Sequence, residues 1–226
     1  MTAWIPLMSP PMSPGRIVIL NGVPRAGKSS IVSAIQDTFE GVWMNLGLDH
    51  FQAMTPSRYQ PGIGLWPGRK KPDLEPLVVT LYRGLYEAIA SHSRLGLNVA
   101  ADVSHHDCYS ASRDILRSCA PLLADLPAWF VGVHCPIELI MERRQATWGK
   151  SYAADGSIPE PVRKYQRFIH RPGIYDLEVD TSRLSPEACA DLIRTHLDQG
   201  PRPTALSRLA AMDGRRAIGP THQSAP

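Results

Sequence analysis

The chain has 226 residues with a formal charge of +3, 43% hydrophobic and 20% charged residues, enough for one domain that buries roughly 70% of its unfolded surface. A charge this small falls short of a nucleic-acid-binding signature, and no run of about 18 apolar residues suggests a membrane span. The opening "MTAWIPLMSPPMSPG" lacks the basic start and sustained apolar core of a signal peptide. The four cysteines, Cys108, Cys119, Cys135 and Cys189, show no CxxC spacing and fall in or beside apolar segments, so they read as reduced structural thiols of a cytoplasmic protein.

In chain order, short branched apolar runs predict strands at 16–20 ("RIVIL"), 42–48, 97–103, 129–135 and 177–181. Between them lie helical patterns. Leu74, Leu77, Val78, Leu81, Tyr82, Leu85, Ala88 and Ile89 recur at the spacing of one helix face, and Leu116, Cys119, Leu122, Leu123 and Leu126 repeat the pattern. Ser185, Pro186 and Glu187 open a last helix with a cap residue, a proline and an acid in the first turn. Strands alternating with amphipathic helices predict an α/β fold with a parallel sheet covered on both faces. We expect a flexible extension over residues 1–15, one domain over 16–199, and a mobile tail over 200–226, rich in Pro, Gly, Ser, Ala and Arg.

Residues 22–29 read "GVPRAGKS" and fit GxxxxGK[ST], with a strand pattern before them and a helix pattern after. Glycines let backbone amides turn toward anionic oxygens, and the following helix directs the positive end of its dipole at the same point. The expected nucleotide-binding set is Gly22, Val23, Pro24, Arg25, Ala26, Gly27, Lys28, Ser29 and Ser30. Lys28 would meet the β and γ phosphates of ATP, and Ser29 would hold Mg²⁺. Arg25 either adds a phosphate contact or faces solvent. No NKxD guanine-reading motif and no LSGGQ-like signature occurs, which argues against a GTPase or a transporter-type ATPase.

Three further residues carry chemistry. Asp49 follows the second strand, where a doubly wound sheet presents its ligands; it suits a base for an acceptor hydroxyl, and its spacing to Gln52 also suits a helix cap. Asp102, ending the third strand, suits either a Mg²⁺ site with Ser29 or a strand-end cap. At 100° per residue, Arg144 shares a face with Ile140, Met141 and Trp148, so it needs an ion-pair partner or a bound anion, whereas Arg143 projects elsewhere and reads as solvated. Adjacent His105 and His106 read as solvated loop residues rather than a metal site. In the Pro- and Gly-rich run after Asp49, Phe51, Tyr59 and Trp66 either wall an acceptor site or pack the loop down.

"ILNGVPRAGKSSIV", "GLDHF", "VGVHCPIELIMERR" and "HRPGIYDLEVDTS" together resemble the chloramphenicol phosphotransferase-like proteins, over about Arg16 to Leu197. The resemblance implies a P-loop kinase fold of the adenylate and shikimate kinase type, with five parallel strands and a small lid. It implies ATP and Mg²⁺ as cofactors, a small-molecule hydroxyl as acceptor, and Asp49 as the base; with Lys28 from the loop motif and Arg144 from its helix face, the expected catalytic residues are Asp49, Lys28 and Arg144. Where that family carries an "RGDR"-like lid segment, Trp148 to Ser151 read "WGKS", so Lys150 offers a point charge in place of a guanidinium fork. A kinase for another metabolite, a sugar or a nucleotide fits the same motifs, as does a nucleotide-binding regulator that transfers nothing to a small acceptor.

Overall fold

The computed structural model describes residues 13–62, 65, 71–149, 152–153 and 155–213. Within them, β1 (Ile17–Asn21), α1 (Lys28–Thr38), β2 (Trp43–Asn45), α2 (Leu48–Ala53), α3 (Glu75–Arg94), β3 (Asn98–Val103) and α4 (Ile115–Cys119) are followed by β4 (Ala128–His134), α5 (Ile137–Trp148), α6 (Glu160–Phe168), β5 (Leu177–Asp180), α7 (Pro186–Gln199) and α8 (Ala205–Asp213). All strand pairs are parallel, in the order β2-β3-β1-β4-β5. β1 is therefore central, with β3 on one side and β4 on the other, and its carboxyl end opens where the winding reverses, the place where such sheets bind ligands.

Every residue of β1 is buried, and its alternate side chains serve two cores. Val18 and Leu20 pack with Ile31 and Ile35 of α1, Ile140 and Met141 of α5, and Ile193 of α7. Ile17 and Ile19 pack with Val78, Tyr82, Leu85 and Ile89 of α3 and with Leu206 and Leu209 of α8. Burial on both faces is why β1 reads as an unbroken apolar run. No helix among the described residues is long and apolar enough to cross a membrane.

Local chemistry sets the boundaries. The second strand is three residues long rather than the seven expected, because the Asn45 side chain accepts from Gly47 N at 3.0 Å and turns the chain into α2. The pattern from Leu116 to Leu126 breaks at Pro121, which lacks the N–H that α4 needs to continue, and a single tight turn takes over at Ala120–Leu122. Ser185 caps α7 as expected, its hydroxyl accepting from Ala188 N at 3.2 Å.

The expectation of a mobile tail over 200–226 is corrected for residues 205–213. They form α8, with Ala205, Leu206 and Leu209 buried against the α3 side of the sheet. Its amino end is capped from a distance: one carboxylate oxygen of Asp176 accepts from Thr204 N at 2.7 Å and Ala205 N at 2.9 Å, the other from Phe130 N at 2.9 Å. A cap supplied from 28 residues upstream leaves no mark in the local sequence. The extension over 1–12 and the end of the tail, 214–226, lie outside the described residues.

Candidate active site

The phosphate-type loop follows β1 directly. Asn21, fully buried at its head, donates from Nδ2 to Ile169 O and to the Tyr175 hydroxyl, both at 2.9 Å, and accepts from His105 N at 2.8 Å. One amide thereby ties together the chain ends that follow β1, β3 and α6. Gly27, at φ 92, adopts the left-handed conformation that lets the loop turn into α1. The Lys28 ammonium is buried and donates to Gly22 O at 2.8 Å and Val23 O at 2.9 Å. Burial pushes its pKa down to about 8, partly offset by the carboxylates of Asp102 and Asp49.

Ser29, in the first turn of α1, meets Asp102 of β3: the serine hydroxyl donates to the Asp102 carboxylate at 2.6 Å. Gly47 passes so close to Asp102 that a Cβ there would collide with the carboxylate, so a glycine at this position is part of the site. A hydroxyl and a carboxylate in contact form a hard-oxygen donor pair of the kind Mg²⁺ takes alongside phosphates. The pair fits the expected ion; among the described residues no group of three or more His, Cys, Asp or Glu side chains forms a metal cage.

Asp49 is exposed and lines the same cavity, of about 460 Å³, as Lys28, Ser29 and Asp102. The alternative capping role is not seen. Gly47 occupies the cap position of α2, no side chain caps that helix, and Asp49 is its second residue. Its carboxylate is thus left facing the cavity, at the favourable positive end of a short helix.

The two arginines of α5 exchange their expected places. Arg143, read as solvated, lies in the cavity wall and donates to Thr181 Oγ1 at 3.1 Å, Thr181 O at 2.9 Å and Arg25 O at 3.3 Å. The straight-wheel estimate put it off the apolar face, but β5 ends beside that helix flank, and the Thr181 backbone and hydroxyl offer the partners. Thr181 itself donates to Ala26 O at 2.7 Å, fastening β5 to the loop. Arg144 is not in the wall; its guanidinium carbon lies 4.6 Å from the centre of the Trp148 ring. Burial, then the neighbouring Arg25, lowers its pKa. Ser30 and Arg25 also line the cavity with Pro24 and Gly27. Gly22, Val23 and Ala26 are buried behind it.

A cluster of aromatics gathers around the segment after β3, outside the lining of that cavity. His105 and His106 are buried, contrary to the solvated reading. His105 lies 2.8 Å from the Tyr86 hydroxyl and stacks on Tyr82, and burial drives its pKa down to about 3, keeping it neutral. His106 stacks on Tyr109 and meets Tyr165 of α6 edge-on. Burial raises the Tyr165 pKa, with smaller contributions from Tyr109, Cys108 and Asp49. Glu75, buried at the start of α3, holds the 107–113 loop through Ser110 and an Arg113 ion pair at 3.1 Å. Phe51 packs against α3, and Tyr59 is largely exposed beneath Arg58. Trp66, Lys150 and Ser151 lie outside the described residues.

A five-stranded parallel sheet in this order, with a phosphate-type loop at the switch point, defines the P-loop kinase fold. The match is direct in the APS kinase of Mycobacterium tuberculosis solved with AMPPNP and APS, where the TM-score is 0.57 at 17% identity over 84% of this chain and 100% of that one. Shikimate kinase of Acinetobacter baumannii with shikimate aligns at a TM-score of 0.50 and 14% identity, over 81% and 93%. Residues 15–198 match the model of the chloramphenicol phosphotransferase-like proteins, and the chain belongs to that family. A Mycobacterium tuberculosis protein (strain H37Rv) provisionally named an O-phosphotransferase is 28% identical over 212 residues, spanning 88% of this chain and 89% of the relative.

Proposed function

We propose that this protein is a kinase that moves the γ-phosphoryl group of Mg-ATP onto a hydroxyl group of a small molecule. One observation carries the reading: Lys28, the Ser29–Asp102 pair and the free carboxylate of Asp49 open onto one cavity. The loop amides and Lys28 hold the phosphate chain and balance the charge that spreads over it during transfer. Arg143, fixed by Thr181 and the loop carbonyl of Arg25, adds a guanidinium beside the loop. Mg²⁺, held by Ser29 and Asp102, would neutralise phosphate charge when bound. Asp49 accepts the proton of the acceptor hydroxyl as its oxygen bonds to the γ-phosphorus and ADP departs. Membership of the family, the name of the mycobacterial relative and the kinase fold support this class of reaction. ATP and reduced thiols are both cytoplasmic conditions, which is where this reading locates the protein.

Incubation with γ-labelled ATP, Mg²⁺ and a panel of hydroxyl compounds tests it. The panel should hold chloramphenicol, sugars, nucleosides and simple primary alcohols. Acceptor-dependent transfer of label to one compound is expected. Tight nucleotide binding without any labelled small molecule would favour a nucleotide-binding regulator instead.

A further inference from the structure

Arg25 stands inside the phosphate-type loop with φ 73, a left-handed conformation in which an L side chain crowds its own backbone. Glycine would sit there without strain, so an arginine at this point calls for a role for its side chain. That side chain reaches Trp148 at the end of α5: its guanidinium carbon lies 4.3 Å from the ring centre, while that of Arg144 lies 4.6 Å from the same ring. Two like charges therefore share one indole. Among the described residues, neither is ion-paired with a carboxylate. Trp148 is 38% exposed, and it and Arg25 line the cavity that holds Lys28 and Ser29, whereas Arg144 does not.

We propose that Arg25 is a phosphate-binding residue stored on Trp148, and that a nucleoside triphosphate draws its guanidinium off the indole and onto the phosphate chain. The inference rests on the reading of the cavity as a triphosphate site. A half-exposed cation–π contact is a weak hold for a guanidinium, and a bidentate, charge-assisted grip on phosphate is a strong one. Departure of Arg25 also relieves its repulsion with Arg144, which keeps the indole in place with a single cation. The storage site also ties the loop to the end of α5.

The full-length protein should be titrated with ATP and with AMP in the presence of Mg²⁺, following tryptophan emission and heat. Arg25→Gly removes the side chain and relaxes the backbone, so it should fold at least as well as the wild type. Trp148→Phe identifies which tryptophan reports. ATP is expected to change the emission of the wild type, and both variants should lose that change. Arg25→Gly should bind ATP ~10-fold more weakly and AMP within about twofold of the wild type. An Arg25→Gly protein that binds ATP as tightly as the wild type, or that keeps the emission change, overturns the storage role. If it does so while Lys28→Met loses ATP binding, the triphosphate site stands and the storage role alone falls. A wild type that binds no ATP overturns both.

Discussion

The donor side of the cavity and the side next to Asp49 are built by opposite rules. On the proposed reading, phosphate is gripped by consecutive residues, Gly22 to Ser30, most of whose contribution is backbone conformation and one lysine. The Asp49 side has no such contiguous source: Leu48 and Asp49 come from α2, and Ser104 comes from the segment after β3, far away in sequence. A triphosphate presents the same shape to every kinase, so a contiguous backbone motif can serve it. An acceptor is particular, so on the proposed reading its walls would be side chains brought together only by folding.

Breaking the donor side should have the largest effect. Lys28→Met removes the cation aimed at the phosphates and should lower transfer by ~10²–10³-fold or more, measured with labelled ATP. The same change should stabilise the fold. The Lys28 pKa is about 8 in the folded chain against 10.5 for the free group, so burial of the charged form opposes folding in full below pH 8. Between pH 8 and 10.5 the unfolded state holds the proton more firmly, and stability from this group rises with pH. At pH 7 thermal or urea unfolding should therefore show Lys28→Met more stable than the wild type by on the order of 2 kcal/mol, a gain that shrinks toward pH 10. A destabilised Lys28→Met at neutral pH would contradict the burial cost.

On the acceptor side, Asp49→Asn keeps the shape and the helix start but cannot take a proton. Transfer should fall ~10²-fold while ATP affinity, read by calorimetry, stays within about twofold. Arg143→Lys keeps a charge but loses the fork that spans Thr181 and the loop, so transfer should fall ~10-fold with the melting temperature little changed. Ser185→Ala lies on neither side. It removes the α7 cap and should cost about 1 kcal/mol in urea unfolding with activity per folded molecule unaltered.

Much of the sheet could be read directly, because buried parallel strands such as β1 are continuous apolar runs and the loop motif is contiguous. What escaped depended on distant partners. The place of Arg143 depends on where β5 ends, 38 residues later, and α8 depends on the Asp176 carboxylate and an apolar seat on α4 and β4. His105 gave the opposite impression to its true setting, since a polar doublet in a loop looks solvated until Tyr82 and Tyr86 of α3 are seen to enclose it. Asp49 was legible as a position. Its freedom from capping was not, because that depends on Gly47 taking the cap place and on the tight approach of Gly47 to Asp102.

The most direct test of the account is a single-turnover measurement: γ-labelled ATP bound to wild type and to Asp49→Asn, mixed with the acceptor that the panel identifies, and the label followed into the small molecule. The account predicts rapid acceptor labelling by the wild type, and equal ATP retention but ~10²-fold slower labelling by Asp49→Asn. Equal labelling rates in the two proteins would contradict it.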